Sequence, residues 1–105
     1  MSELMTTGTW QVKPGEDEEF VEAWTRFAEW AARMPGATTL RLGRDTGSPS
    51  RYVSYAPWAD TASVHAWKSQ PEFREQMARV QRHVAGFEPA ELEVVATVSS
   101  VVTVA

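Results

Sequence analysis

Arg51-Tyr-Val-Ser-Tyr-Ala-Pro-Trp58, followed by Ala59-Asp-Thr-Ala-Ser-Val-His-Ala-Trp67-Lys-Ser-Gln-Pro-Glu-Phe73 and running on to Val80, leads an extended segment straight into a helical one. The first part is rich in aromatic and β-branched residues. It sets Tyr52, Ser54 and Trp58 on one side and Val53, Tyr55 and Pro57 on the other, the two-residue period of a strand. Asp60 or Thr61 stands where a cap belongs, since a short oxygen-bearing side chain accepts from the exposed amides of a first turn. Val64 and Trp67 lie one helical turn apart. Ser69-Gln-Pro-Glu72 has the spacing of a capping box with proline in the first turn, so a helix is expected to restart there. Phe73, Met77, Val80 and Val84 continue its apolar stripe as far as Gly86.

Upstream, Leu4 to Val12 alternates, with Leu4, Trp10 and Val12 against Thr7, Thr9 and Gln11, the pattern of a half-buried strand that Pro14-Gly15 ends. Glu16-Asp-Glu-Glu19 follows. Four carboxylates in a row can be read as a metal site, but a first helical turn also favours negative charge, and a solvated helix start explains the run without a ligand. Phe20, Trp24, Phe27, Ala31 and Met34 then recur at helical spacing, with Trp30 at the edge of the stripe and Pro35-Gly36 closing it. Ala37 to Arg44 reads as a second strand, joined by the turn cluster Asp45-Thr-Gly-Ser-Pro-Ser50 to the strand at Arg51. Glu91 to Ala105 reads as the last strand, with Leu92, Val94, Ala96, Val98, Val102 and Val104 on one side and Val95 and Val101 on the other.

The resulting order, βαββαβ, is that of an α+β ferredoxin-like sandwich, with both helices on one face of the sheet. A single domain over residues 1–105 is expected at this length. The last strand, as read, exceeds the roughly six residues of a mean strand. A homodimer joined through sheet faces, with terminal strands extended or exchanged, would cover its apolar surface.

Composition restricts the function classes. Five Trp, four Phe and two Tyr are more aromatic surface than so small a core readily hides, so pockets and interfaces are the expected places for the excess. A net charge of -4 argues against a nucleic-acid partner or an anionic membrane surface, both of which favour basic patches. With no cysteine, disulfides, thiolate metal sites and cysteine nucleophiles are excluded. The start Met1-Ser-Glu-Leu-Met lacks the basic and apolar regions of a signal peptide, and no apolar run approaches the ~18 residues of a membrane span. A soluble, cytoplasmic protein is expected.

The strand, tryptophan, acidic cap, Ala66-Trp-Lys-Ser69 and Pro71-Glu-Phe73 together resemble the antibiotic-biosynthesis monooxygenase (ABM) superfamily of small dimeric α+β barrels. Trp10-Gln-Val-Lys-Pro-Gly15 before an acidic, aromatic helix is similar to the first half of the same family. The likeness spans roughly residues 8 to 97. It implies a dimeric α+β barrel with a small apolar cavity between each sheet and its helices. One branch of the family oxidises polyketide-derived quinols or anthrones with molecular oxygen, without flavin or metal, which implies no cofactor and a small aromatic or apolar metabolite as partner. Such chemistry needs an aromatic-lined pocket, a proton acceptor and a donor to the developing anion.

The resemblance makes His83 and Trp67 the candidate catalytic residues, with Tyr55, Trp30, Trp58, Met77 and Arg82 as candidate substrate contacts. Plainer readings stand beside these: a surface histidine suits a helix C-terminus, Trp24 and Phe27 are core, and packing alone accounts for Trp58 and Trp67 at a strand-to-helix junction. His65 is a weaker candidate. A second branch of the family degrades haem with an axial histidine, an asparagine and a tryptophan. Trp67 matches the tryptophan, but the histidine position falls on Met77 and the asparagine position near Thr7, which disfavours that branch. The rivals from other classes are a non-catalytic binding or accessory dimer and a purely structural dimer.

Overall fold

Strand β1, Leu4–Val12, buries every second residue, and its inward series includes Thr6 and Gly8 as well as Leu4, Trp10 and Val12. The structure, a computed structural model, describes residues 3–100. β1 lies between β3 (Arg51–Trp58) and β4 (Val84–Glu93), and β2 (Arg41–Arg44) flanks β3, giving an antiparallel sheet of order β2-β3-β1-β4. The register sets Trp10 opposite Tyr52 and Phe87, and Gly8 opposite Ser54 and Pro89. Directly opposed residues share a face, so Tyr52, Ser54, Ala56 and Trp58 point inward beside β1's buried series.

Helix α1 (Asp17–Ala31), α2 (Thr61–Lys68) and α3 (Pro71–Gln81) supply the other half of the core. The ferredoxin-like α+β architecture expected from the sequence is the one observed, with the second helical segment broken in two. Phe20, Trp24, Phe27, Trp30 and Ala31 are all buried, as are Val64, Trp67 and Val80. Among the described residues no helix is long and apolar enough to cross a membrane.

Local chemistry explains the breaks. Asp60 caps α2 by accepting from both the amide and the hydroxyl of Ser63 at 2.8 Å, and these bonds hold its carboxyl below the usual carboxylate range. The expected capping box at Ser69–Glu72 does not form. Ser69 donates backwards to the carbonyl of Ala66 at 3.1 Å, and the N-cap of α3 is Gln70, whose side chain makes no capping bond. Proline disfavours helical geometry in the residue before it, so Gln70 is extended, at φ -69 and ψ 136, and the helix begins on Pro71. Gly36, at φ +86, turns the chain after α1. A Cβ there would collide with the side chain of Ser63, so glycine also admits the close approach of α2.

Two strand boundaries differ from the sequence reading. The strand expected over Ala37–Arg44 is regular only over Arg41–Arg44, with a single bridge from Ala37 to Trp58 preceding it. The last strand begins at Val84, where a helix was expected to continue to Gly86, and ends at Glu93. Its alternation is obscured by Gly86, Pro89 and three glutamates, residues that an edge strand tolerates because one row of its backbone groups has no ladder to keep. Residues 94–100 carry no strand, and Val95 and Val98 are exposed. The positions Val101, Val102, Val104 and Ala105 of the expected strand lie outside the described residues.

Candidate functional site

Three tryptophans of the inward layer place their indole N–H groups differently. Trp10 Nε1 donates to Ser54 Oγ at 2.9 Å, and Trp58 Nε1 donates to Thr6 Oγ1 at 3.1 Å, so each is satisfied by the neighbouring strand. Trp67 Nε1 is buried and has no hydrogen-bond partner, the only such side-chain atom among the described residues. Leaving a buried donor unpaired costs roughly 1–3 kcal/mol. The indole is nonetheless held firmly. Trp58 stacks on it at 4.6 Å, Phe73 meets it edge-on at 4.9 Å, and Phe27 packs at 5.6 Å.

Trp67 lines a cavity of about 290 Å³ between the sheet and the helices. That volume sits near the lower end of the ~300–1,000 Å³ of small-molecule sites. Trp24, Phe27, Phe73 and Met77 form its helical walls, and Trp10, Ala56 and Phe87 its sheet side, where Phe87 stacks on Trp10 at 4.0 Å. Gly8 belongs to this wall for a steric reason: a Cβ would come within 3.0 Å of Ser54, Phe87 and Trp10. Thr6 and Ser54 contribute hydroxyls already engaged by the tryptophans. Lys68 and Gln81, from the C-terminal turns of α2 and α3, line it as well.

The candidate residues named from the sequence separate into three groups. Trp67 and Met77 line the cavity. Tyr55 does so too, yet its side chain alternates to the open face of the sheet and is 39% exposed, so its contribution to the wall is main-chain. Tyr52 is the inward tyrosine, and its hydroxyl donates to Asp17 at 2.7 Å while accepting from Arg44. Trp58 and Trp30 are buried behind the lining, Trp58 against Trp67 and Trp30 against Phe27.

His83 and Arg82 lie elsewhere. They border a separate polar recess of about 260 Å³ between α1 and α3, with Glu19, Glu22, Arg26 and Arg79. His83 Nδ1 is 2.9 Å from Glu16 Oε1, its carbonyl accepts from the amide of Lys13 at 2.9 Å, and the ammonium of Lys13 donates to the carbonyl of Arg82 at 3.0 Å. This cluster ties the β1–α1 loop to the end of α3.

Thr7 and Met77, the positions of interest for a haem site, do line the cavity, but among the described residues no histidine does. The lining therefore does not fit an axial imidazole, and no haem chemistry is derived from it. Glu16–Glu19 opens α1 as an acidic first turn. Among the described residues no three His, Asp or Glu side chains group as metal ligands.

Several lining residues escape a reading of the sequence. Ser54 and Trp10 meet across a separation of 44 residues that only the strand register reveals. Phe87 falls in the stretch where β4 begins earlier than its sequence pattern suggests. Lys68 follows Trp67 directly, and adjacent residues on a helix do not face the same way, so spacing gives no signal for it.

Comparison with known proteins agrees with the fold. The family model described as antibiotic biosynthesis monooxygenase matches residues 4–79. No curated protein sequence matches the chain at a significant level. Among solved structures, SnoaB, a cofactor-independent oxygenase from Streptomyces nogalater, is similar at a TM-score of 0.85 and 23% identity, over 95% of this chain and 100% of that one. A mutant form of the same oxygenase gives 0.86 and 22% over the same shares. A conserved protein from Methanosarcina mazei Go1 gives 0.80 and 17%, over 88% of this chain and 92% of its own.

Proposed function

The chain belongs to the antibiotic biosynthesis monooxygenase family, and from that premise we propose that it is a cofactor-independent monooxygenase acting on a planar hydroxylated aromatic of the quinol or anthrone type. The observation that carries the reading is the unpaired, buried N–H of Trp67, a residue that lines a mainly apolar, aromatic cavity. A planar aromatic stacks on such walls, and its phenolic or enolic oxygen supplies the acceptor that the protein withholds from Trp67.

The chemistry follows from the substrate's own electrons. Loss of a proton from an anthrone gives an electron-rich anion, whose oxygen the Trp67 N–H stabilises as charge develops there. Dioxygen adds to the activated carbon to give a peroxide, which loses water. The balance is one CH2 group and one O2 in, one carbonyl and one H2O out. Among the described residues Lys68 is the only charged side chain lining the cavity, and no carboxylate or imidazole lines it. The proton therefore passes to solvent water, helped by the N–H and the ammonium that stabilise the anion left behind, and a proton returns to the peroxide before water leaves. Met77, Phe73 and Phe87 serve as substrate walls, Trp58 and Trp30 as the layer behind Trp67 and Phe27, and the His83–Arg82 cluster as a scaffold contact.

Oxygen uptake is expected on addition of anthrone, one-to-one with anthraquinone formed and faster than in buffer. Saturable binding with the anthrone recovered unchanged would instead favour a binding or accessory protein, and it would end the oxygenase reading.

The open face of the sheet carries Met5, Val53, Tyr55, Pro57 and Leu92, with Tyr55 39% and Leu92 47% exposed. We propose that a second copy covers this face, since so continuous an apolar strip is unusual on a free surface. Sedimentation at micromolar concentration is expected to give a mass near twice 11.7 kDa. A single-chain mass would remove the dimer.

A further inference from the structure

Lys68 occupies a position that packing does not explain. It follows Trp67 directly, at the C-terminal end of α2, and its side chain is 31% exposed. Its ammonium donates to Glu91 Oε2 at 2.7 Å, on the edge strand β4. Glu91 is paired in register with Thr6, itself a lining residue, so the ion pair stands on the rim of the cavity. The ammonium also holds the Glu91 carboxyl below the usual carboxylate range, as hydrogen bonding outweighs its partial burial. A solvated ion pair of this kind contributes little to stability. What distinguishes it is that one partner lines the cavity and the other does not.

We infer that Lys68 is a specificity-determining residue that selects substrates carrying an anionic group, a carboxylate or an ionised phenol, at the end of the planar ring system nearest β4. The inference rests on the oxygenase reading only for the ring system; the selection of charge stands on the cavity itself. An aromatic ligand seated against Trp67 brings its edge to the neighbouring residue. Glu91, with 37% of its side chain exposed, rotates into solvent, where a carboxylate is well hydrated. The ligand's anion takes its place on an ammonium whose stem remains against the apolar wall. The aromatic contacts are common to charged and neutral ligands, and what the exchange adds is a charge-assisted hydrogen bond inside the cavity, where less water competes for it than at the exposed Glu91 carboxylate. A neutral ligand leaves the Lys68–Glu91 pair closed and gains nothing from it.

The test compares anthraquinone-2-carboxylate with 2-methylanthraquinone by tryptophan-fluorescence quenching, in the intact protein and in two variants. The protein is expected to bind the carboxylate at least roughly fivefold more tightly than the methyl compound. Lys68→Met is expected to bring that ratio close to one. Glu91→Gln, which removes the competing carboxylate and keeps the side chain's shape, is expected to raise the ratio several-fold. A ratio near one in the unsubstituted protein, or a ratio unchanged in Lys68→Met, overturns the inference. If Lys68→Met does not fold, Glu91→Gln decides alone, and a ratio that falls or stays constant in it is the contrary result. These probes are already oxidised, so the outcome is independent of turnover. Preference without oxygen uptake would sink the oxygenase reading alone, and uptake without preference would sink the role of Lys68 alone.

Discussion

Trp67→Phe is expected to lower the turnover of anthrone by about 100-fold while leaving the fold intact. Phenylalanine retains an aromatic ring among Trp58, Phe73 and Phe27 but has no N–H. Removing a donor aimed at a developing oxyanion typically costs about 10²–10³ in rate. Stability should respond quite differently. The indole N–H has no partner in the folded protein, so its removal relieves an unmet desolvation cost that offsets part of the lost ring area. A melting temperature within a few degrees of the parent, together with the fall in turnover, is the expected pair of results. A lower melting temperature with unchanged oxygen uptake would make Trp67 a packing residue and leave the cavity without its principal polar group.

Trp58→Ala has the largest expected effect on stability. The indole is fully buried, stacks on Trp67 and donates to Thr6. Large aromatic truncations in cores cost about 3–5 kcal/mol, a large share of the roughly 5–15 kcal/mol that holds a small domain. For a chain of this size the melting temperature should fall by at least about 12 °C. Turnover should fall as well below the transition, because Trp67 loses the surface that fixes its plane. A thermal melt followed by an oxygen-uptake assay well below the new midpoint separates the two effects. A fall of only a few degrees would contradict the packing described for this wall.

The uneven legibility of the chain has physical causes. β1, β3 and α1 bury one face each against a single partner layer, so their periods of two and 3.6 residues stand out in Leu4–Val12, Arg51–Trp58 and the Phe20–Trp24–Phe27 stripe. β4 buries little, and an edge strand can hold Gly86 and Pro89 without losing a ladder on its free side, so its pattern carries no clear period. Pro71 moves the start of α3 from the capping box to Gln70 through a constraint on the preceding residue, not through side-chain chemistry.

The site is legible in part for the same reason. Trp67 lies one turn from Val64 on α2, and Met77 follows Phe73 in the stripe of α3, so spacing places each on the buried side of its own helix. Whether Tyr52 or Tyr55 faces the helices depends on which side of β3 they cover, which a strand alone does not reveal. His83 stands out in the sequence as a titratable residue near an apolar stripe. Its position after the last turn of α3 instead turns it toward Glu16 and the β1–α1 loop. Lys68 does not stand out, because a lysine at a helix C-terminus already has a sufficient local reason to be there.

The most direct test of the central claim is the fate of isotopically heavy dioxygen in the reaction with anthrone. One heavy oxygen is expected in the new carbonyl of each anthraquinone and the other in water, at a rate proportional to protein and depressed in Trp67→Phe. Anthrone recovered unchanged, or oxidised no faster than in buffer, would contradict it.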